Sequence, residues 1–343
     1  MGEPIEAIKV WTAVIVSQYF CYTIKSIVPK GLKRFLLLLP VIGLFLYLPF
    51  RLTTVHIGCT TAFFISWLAN FKLLLLAFDQ GPLSSHLSDS FPLFVAIACL
   101  PVILPNAADK TIKISKWPRL FVVKIALAIL FVRFFHYTES LHDRLVKTMY
   151  GIFMYLLLEI ILAVATNLIR SVMGLELDPP INEPYLATSL QDFWGRRWNI
   201  VVSHILRPVV YQPVLRVATL FVRRSLATVL GVISTFAVSG LMHEFTFYHL
   251  GRAPPTGELS CFFLLHGVCV AAEVTAKRWA GERIKLHPVV SRALTIGFVV
   301  ATANWLFIPQ FSKLKIDDRA LEEYAVVGKW FSHLVSSIFS PLT

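Results

Sequence analysis

Eight apolar runs constrain this chain more than any other feature: 10–28, 35–50, 55–76, 119–135, 149–169, 226–250, 259–276 and 288–308. Each approaches the roughly 20 residues with which a helix crosses a bilayer core of about 30 Å. Backbone groups in hydrocarbon must pair among themselves, and single runs of this length do so as α-helices. The expected fold is therefore all-α, a polytopic transmembrane helical protein of about eight to nine spans. The composition agrees, because 56% of the 343 residues are hydrophobic and only 15% charged, where a soluble domain carries about a quarter charged. The segment from Phe91 to Leu104 sets the uncertainty in the count, being apolar but short and bracketed by Pro92, Pro101 and Pro105.

Charge decides how that segment is read. If 91–104 does not cross, the basic connections all fall on one side: Lys25, Lys30, Lys33 and Arg34; Lys110, Lys113, Lys116 and Arg119; the 170–224 insert; and Lys277, Arg278, Arg283 and Lys285. That side is then cytosolic, and eight crossings leave both ends luminal. The excess of 32 Lys and Arg over 20 Asp and Glu is explained first by orientation and anionic headgroups, with a phosphate-bearing cosubstrate as a second contributor. A nucleic-acid partner is not indicated, for no basic stripe is interleaved with aromatics. The five cysteines form no CxxC pair and lie mostly in apolar runs, so neither disulfides nor structural zinc is expected. The first apolar run leads straight into further spans, which reads as a retained anchor. Without repeats or a domain-sized soluble insert, 1–343 reads as one membrane domain whose sizeable polar insert is 170–224.

Two segments carry candidate chemistry. In the insert, Ser189-x-x-Asp192 resembles a capping box, with Thr188 as the alternative cap. A regular helix from there aligns Trp194 with Trp198, Phe193 with Arg197 and Asp192 with Arg196, and puts Gln191, Asp192, Gly195 and Asn199 on another face. Such a helix is either an interfacial element or a set of polar groups aimed at a ligand. In the 226–250 run, Phe236, Ser239, Gly240, His243 and Phe247 share a face, so small residues precede a histidine at membrane depth. An ionisable group there is a functional candidate by default. Glu244 faces elsewhere, HExxH fails at its second histidine, and GxSxG, P-loop and GxGxxG patterns are absent. What remains is general-base chemistry without a metal. His249 reads as interfacial, Lys72 and Lys124 as snorkelling near span ends, and Glu159 and Glu273 as buried structural partners, with His266 ranked below His243.

The order of these segments resembles the membrane-bound O-acyltransferase family. More narrowly, Pro184-Tyr-Leu-Ala-Thr-Ser-Leu-Gln-Asp-Phe-Trp-Gly-Arg-Arg-Trp-Asn199 and Val238-Ser-Gly-Leu-Met-His243-Glu244 resemble the plant wax synthase branch, the long-chain-alcohol O-fatty-acyltransferases. Trp67-Leu-Ala-Asn-Phe-Lys-Leu-Leu-Leu75 and Gly81-Pro-Leu-Ser84 extend the likeness over most of the chain. The resemblance implies esterification in the endoplasmic reticulum membrane, with fatty acyl-CoA as cosubstrate rather than a bound cofactor, and a long-chain alcohol or sterol as acceptor. It also implies His243 as general base and Asn199 as the second residue near the reacting centre. Trp194, Trp198, Asp192 and Ser239 are candidate substrate contacts, and Arg196 and Arg197 are expected beside CoA phosphates. Sterol and diacylglycerol acyltransferases carry Asp-Trp where this chain has Arg196-Arg197, which favours the wax branch without excluding sterol acylation. A membrane transporter using His243, Glu273 and Lys124 as a relay is the rival from another class. One tension follows: a span starting near Leu226 carries His243 about 25 Å along its axis, beyond the bilayer midplane.

Overall fold

The structure, a computed structural model, describes residues 2–103, 120–135, 137, 141–174, 177–280 and 286–339. Every regular element among them is helical. The principal helices are α1 (Gly2–Ile27), α2 (Leu32–Tyr47), α3 (Val55–Ala77), α4 (Phe91–Cys99), α5 (Phe121–Phe134), α6 (Asp143–Met173), α7 (Ile200–Leu206), α8 (Arg224–Gly251), α9 (Glu258–Ala280), α10 (Pro288–Thr302) and α11 (Ile316–Phe339). Seven helices among the described residues are long and apolar enough to cross a membrane: Glu3–Ile27, Leu32–Arg51, Val55–Ala77, Asp143–Val172, Arg224–Gly251, Glu258–Trp279 and Pro288–Lys313. The eighth expected run, 119–135, folds as α5, whose 14 residues rise about 21 Å and fall short of the bilayer core. The expectation that both ends share a side rested on eight crossings, of which the described residues hold seven candidates. Lys110, Lys113, Lys116, Arg119, Arg283 and Lys285 lie outside the described residues.

The 91–104 segment does not cross. Its helix α4 ends at Cys99, and Leu100 is extended (φ −108°, ψ 161°), the conformation that a following proline imposes. Phe94, Ile97, Ala98 and Cys99 join the core with Val10 and Val14 of α1, Leu38 and Phe45 of α2, and Leu73 and Leu76 of α3. The outer faces of the bundle are apolar instead of polar: Val16, Leu36, Val122, Leu130, Leu241 and Leu294 are all exposed. A surface of this kind suits lipid and not water.

Charged groups inside the bundle are spent on structure. Arg34, read as part of a basic loop, is buried and donates to Val28 O (Nε, 2.9 Å), Lys25 O (3.2 Å) and Leu76 O (3.0 Å). It thereby places a cation on the C-terminal carbonyls of α1 and α3, where the helix dipoles favour one. Lys72 does not snorkel either: it is fully buried and donates to Ile97 O and Leu100 O at 2.7 Å each, closing the end of α4. Lys124 pairs with Glu159 at 2.7 Å, joining α5 to α6. His249, expected at the interface, is buried; its ring stacks on Phe50 at 3.8 Å and its Nε2 lies 3.1 Å from Leu46 O, tying α8 to α2.

The α8–α9 hairpin is the closest helix pair around the site. A Cβ on Gly240 would lie 2.9 Å from the Ser260 Cα, and one on Gly267 would lie 2.7 Å from the Phe236 Cβ, so glycine alone permits this approach. Glu244 faces away from His243 as expected and accepts from Ser260 N at 3.0 Å, in the first turn of α9. Lys124→Met alone should strand the Glu159 carboxylate and cost about 3–5 kcal/mol. The Lys124→Met/Glu159→Leu double variant should recover most of that loss, as read by thermal unfolding of the detergent-solubilised protein.

Candidate active site

A cavity of about 890 Å³ runs beside α8 and is walled by α3, α6, α9, α10, the start of α11 and the 182–211 part of the insert. Thr228, Val232, Thr235, Ser239, His243, Thr246 and Leu250 of α8 all line it. From Thr228 to Leu250 the helix rises about 33 Å, so the cavity follows the span across the thickness of a bilayer core. His243 sits about 22 Å from the level of Thr228 and about 10 Å from that of Leu250. The cavity lining follows α8 from one of these levels to the other and includes His243.

His243 donates from Nδ1 to Ser239 O, one turn earlier, at 2.7 Å. A carbonyl only accepts, so Nδ1 holds the ring proton and Nε2 keeps its lone pair. The ring is flanked by Phe263 (centroids 4.2 Å apart), Trp67 (5.2 Å, edge-on) and Phe307 (5.8 Å, edge-on). No group of three His, Cys, Asp or Glu able to hold a metal occurs among the described residues. The arrangement can accept a proton from a hydroxyl inside an apolar chamber.

The insert departs from the expected regular helix after one turn. Ser189 is the cap, its Oγ accepting from Asp192 N at 3.1 Å. Glu273 of α9 accepts from Leu190 N (2.9 Å) and Gln191 N (3.3 Å), which docks the insert on the bundle and bears out its structural reading. From Phe193 to Arg197 the chain is a π-helix, whose wider turn brings i and i+5 together. Asp192 therefore pairs with Arg197 (2.7 Å) and not Arg196, and Phe193 stacks on Trp198 (5.6 Å, 12° between planes) and not beside Arg197. Trp194 and Trp198 still meet, edge-on at 6.5 Å. Gln191, Gly195 and Asn199 face the cavity as one set, but Asp192 does not join them.

Trp198 is extended, and Asn199 takes the left-handed conformation (φ 38°, ψ 64°) before α7 starts at Ile200. Asparagine tolerates this conformation better than most residues. The side chain is buried and lines the cavity, and its Oδ1 has no hydrogen-bond partner among the described residues. Leaving such an acceptor unpaired costs about 1–3 kcal/mol; the hydroxyl of Tyr155, another lining residue, is likewise without a hydrogen-bond partner among the described residues.

Of the candidates, His243, Asn199, Trp194, Trp198 and Ser239 line one cavity, whereas Asp192, Arg196 and Arg197 do not. Arg197 is spent on Asp192, Glu183 O and Asn182 O, and Arg196 is exposed outside the lining. The cations that reach the cavity are Arg207 and Arg278, joined by His204. Burial first, with Arg207 adding to it against the opposing pull of Asp178, holds the His204 pKa below the ordinary histidine value, which favours its neutral form and leaves the two arginines as the charge. Tyr211 packs its ring against Gly231, and α9 runs antiparallel to α8, so Arg207 and Arg278 stand at the Thr228 end. Neither was legible as a site residue, since Arg207 within the insert and Arg278 within the 277–285 basic run look like any other basic connection position. Four π-helical segments, Ala62–Ala69, Phe193–Arg197, Arg207–Tyr211 and Ala303–Phe307, all contribute to the lining, in keeping with the frequency of such turns at functional sites.

Residues 177–265, which span the insert and His243, match the profile of the membrane bound O-acyl transferase family. Over 327 residues the chain is 42% identical to acyl-CoA–sterol O-acyltransferase 1 of Arabidopsis thaliana, covering 94% of each. It is 44% identical over 305 residues, 88% of each chain, to the probable long-chain-alcohol O-fatty-acyltransferase 3 of the same plant. It is also 41% identical over 328 residues, 93% of each chain, to the long-chain-alcohol O-fatty-acyltransferase of Simmondsia chinensis. The chain belongs to the membrane bound O-acyl transferase family. Replacing Asn199 by glycine keeps the left-handed turn and removes only the amide; turnover should fall at least tenfold while the unfolding midpoint stays within a few degrees of wild type.

Proposed function

We propose that this protein transfers a fatty acyl group from acyl-CoA to a long-chain alcohol, forming a wax ester in the endoplasmic reticulum membrane. The observation that carries the proposal is His243: its Nδ1 proton is committed to Ser239 O, which leaves Nε2 as a base in a long, largely apolar cavity. An apolar chamber of about 890 Å³ lies at the upper end of ligand-pocket sizes and suits hydrocarbon chains. Relatives with both acceptor names cover nearly the whole chain.

In the proposed reaction His243 Nε2 accepts the proton of the alcohol hydroxyl as its oxygen attacks the thioester carbonyl carbon. The tetrahedral centre then collapses, the C–S bond breaks, and the CoA sulfur leaves with the proton returned from the imidazolium. No covalent acyl-enzyme forms. The Asn199 amide, otherwise unpaired at its oxygen, orients the hydroxyl or meets the charge that develops at the carbonyl. Arg207 and Arg278 take the CoA phosphates at the Thr228 end, and the pantetheine arm threads the cavity to the depth of His243. The direct-attack reading is favoured over a transporter relay through His243, Glu273 and Lys124 because Lys124 and Glu273 are already engaged by Glu159 and insert amides respectively.

Sterol acylation is the second reading, carried by the 42% identity to the sterol O-acyltransferase over 94% of both chains. Purified enzyme with labelled acyl-CoA and a panel of fatty alcohols, sterols and diacylglycerol separates the two by the ester formed; a protein that esterifies none of them is not an acyltransferase of this kind. Removing the base in His243→Ala should lower turnover by ~100- to 10,000-fold, and near-normal turnover would remove His243 from the mechanism. Arg207→Gln and Arg278→Gln should each raise KM for acyl-CoA several-fold with kcat nearly kept, as expected for contacts made equally in ground and transition states.

A further inference from the structure

A second histidine lies behind the cavity wall and never reaches the cavity itself. His266 of α9 is fully buried. Trp194 donates from its indole Nε1 to His266 Nδ1 at 3.0 Å. On the other side His266 Nε2 is 2.9 Å from Thr302 Oγ1, which in turn donates to Phe298 O at 2.8 Å. The direction of this chain is determined throughout. An indole nitrogen only donates, so Nδ1 must accept; the threonine proton is committed to a carbonyl, so Nε2 must donate. His266 therefore carries its proton on Nε2, the opposite tautomer to His243.

The relay ends on the wall that holds the base. Trp194 lies edge-on to Phe236 (5.6 Å) and tilted against Phe263 (5.8 Å), and Phe263 covers the His243 ring at 4.2 Å and 31°. Phe236 is seated by Gly267, the neighbour of His266, and Phe263 lies 3.4 Å from where a Cβ on Gly240 would stand. The close α8–α9 approach thus locks the rings to the same two helices that carry the two histidines. Rings pack against the Trp194 indole, and its one hydrogen bond, to His266, sets the direction of its N–H within that packing.

We propose that His266 is a positioning residue for the acyl transfer: by holding the Trp194 indole it fixes the Trp194–Phe263 wall and, through that wall, the direction in which His243 presents Nε2. The proposal rests on the reading of His243 as the base. His266 itself touches no substrate, so its loss acts on kcat and spares acyl-CoA binding.

Five variants and one spectroscopic signal test it. His266→Phe keeps the ring volume and removes the acceptor; kcat should fall at least tenfold with KM for acyl-CoA within twofold. His266→Asn keeps an acceptor near the Nδ1 position and should retain at least a third of wild-type kcat. Because Trp194→Phe removes the donor of the same bond, His266→Phe/Trp194→Phe should be within twofold of the worse single variant. Should His266→Phe not fold, Thr302→Val removes the other anchor of the imidazole and should lower kcat three- to tenfold. Wild-type kcat in the folded His266→Phe or Thr302→Val protein, equal losses in His266→Phe and His266→Asn, or multiplicative losses in the double variant overturns the proposal. In protein labelled with 15N-tryptophan, the Trp194 indole N–H, assigned by its absence in Trp194→Phe, should exchange with solvent faster in His266→Phe. That signal does not depend on chemistry, so turnover surviving His243→Ala would fell the base reading and the positioning role built on it while leaving the Trp194–His266 bond intact, whereas an unchanged exchange rate would fell the positioning role alone.

Discussion

A polar group buried in a protein that is itself surrounded by lipid has nowhere to go for a hydrogen bond except to another part of the chain. The architecture follows from how that demand is met. Arg34 closes the C-terminal carbonyls of α1 and α3, Lys72 closes α4, Glu159 takes Lys124, and Glu273 receives the first amides of the insert. Each of these groups costs desolvation and returns it by fixing one helix against another. Against this background the cavity is lined by residues whose groups are not all tied down: His243, of whose ring only Nδ1 is bonded, and Asn199 and Tyr155, whose side-chain oxygens have no hydrogen-bond partner among the described residues. In the proposed reaction His243 and Asn199 are the groups that meet the substrate.

The cavity exists because the helices around it are not regular. A π turn pushes one residue per turn outward and shifts the register beyond it, so a helix can be packed on one side and still open a wall on the other. Four such segments meet the cavity, and in the insert the π turn pairs Asp192 with Arg197, stacks Phe193 on Trp198 and delivers Asn199 into a left-handed turn aimed inward. The α8–α9 hairpin supplies the opposite requirement. Glycines at 240 and 267 let two spans touch, and the aromatic side chains displaced from that contact build the wall around His243.

Hydrophobic length and small-residue patterning made much of this legible in advance. The all-helical membrane fold, the Ser189 cap, the separation of Glu244 from His243 and the pairing of Trp194 with Trp198 all depend on local geometry or on run length, and all were readable. The positions that were misread share a cause. Lys72, Lys124 and His249 carry side chains that in isolation would turn toward the headgroups, and whether they do so depends on carbonyls and carboxylates far away in the chain. The 119–135 run contains enough apolar residues for a span, but its helix begins at Phe121 and ends at Phe134. Arg196 and Arg197 were placed beside phosphates on their charge alone, whereas Arg197 is taken by Asp192 and Arg196 lies outside the cavity lining.

The sequence by itself determined the solvent and the family: its apolar runs require a bilayer, and the motifs from Pro184 to Asn199 and from Val238 to Glu244 are long enough to name the chemistry. Only the tertiary structure decided which ionisable groups remain available for that chemistry, since availability is what is left after every long-range partner has been assigned. It also decided that Arg207 and Arg278, not Arg196 and Arg197, reach the cavity, and that the two histidines hold opposite tautomers. A tautomer is set by the atom facing the ring, and for His266 those atoms come from Trp194 and Thr302, 72 and 36 residues away.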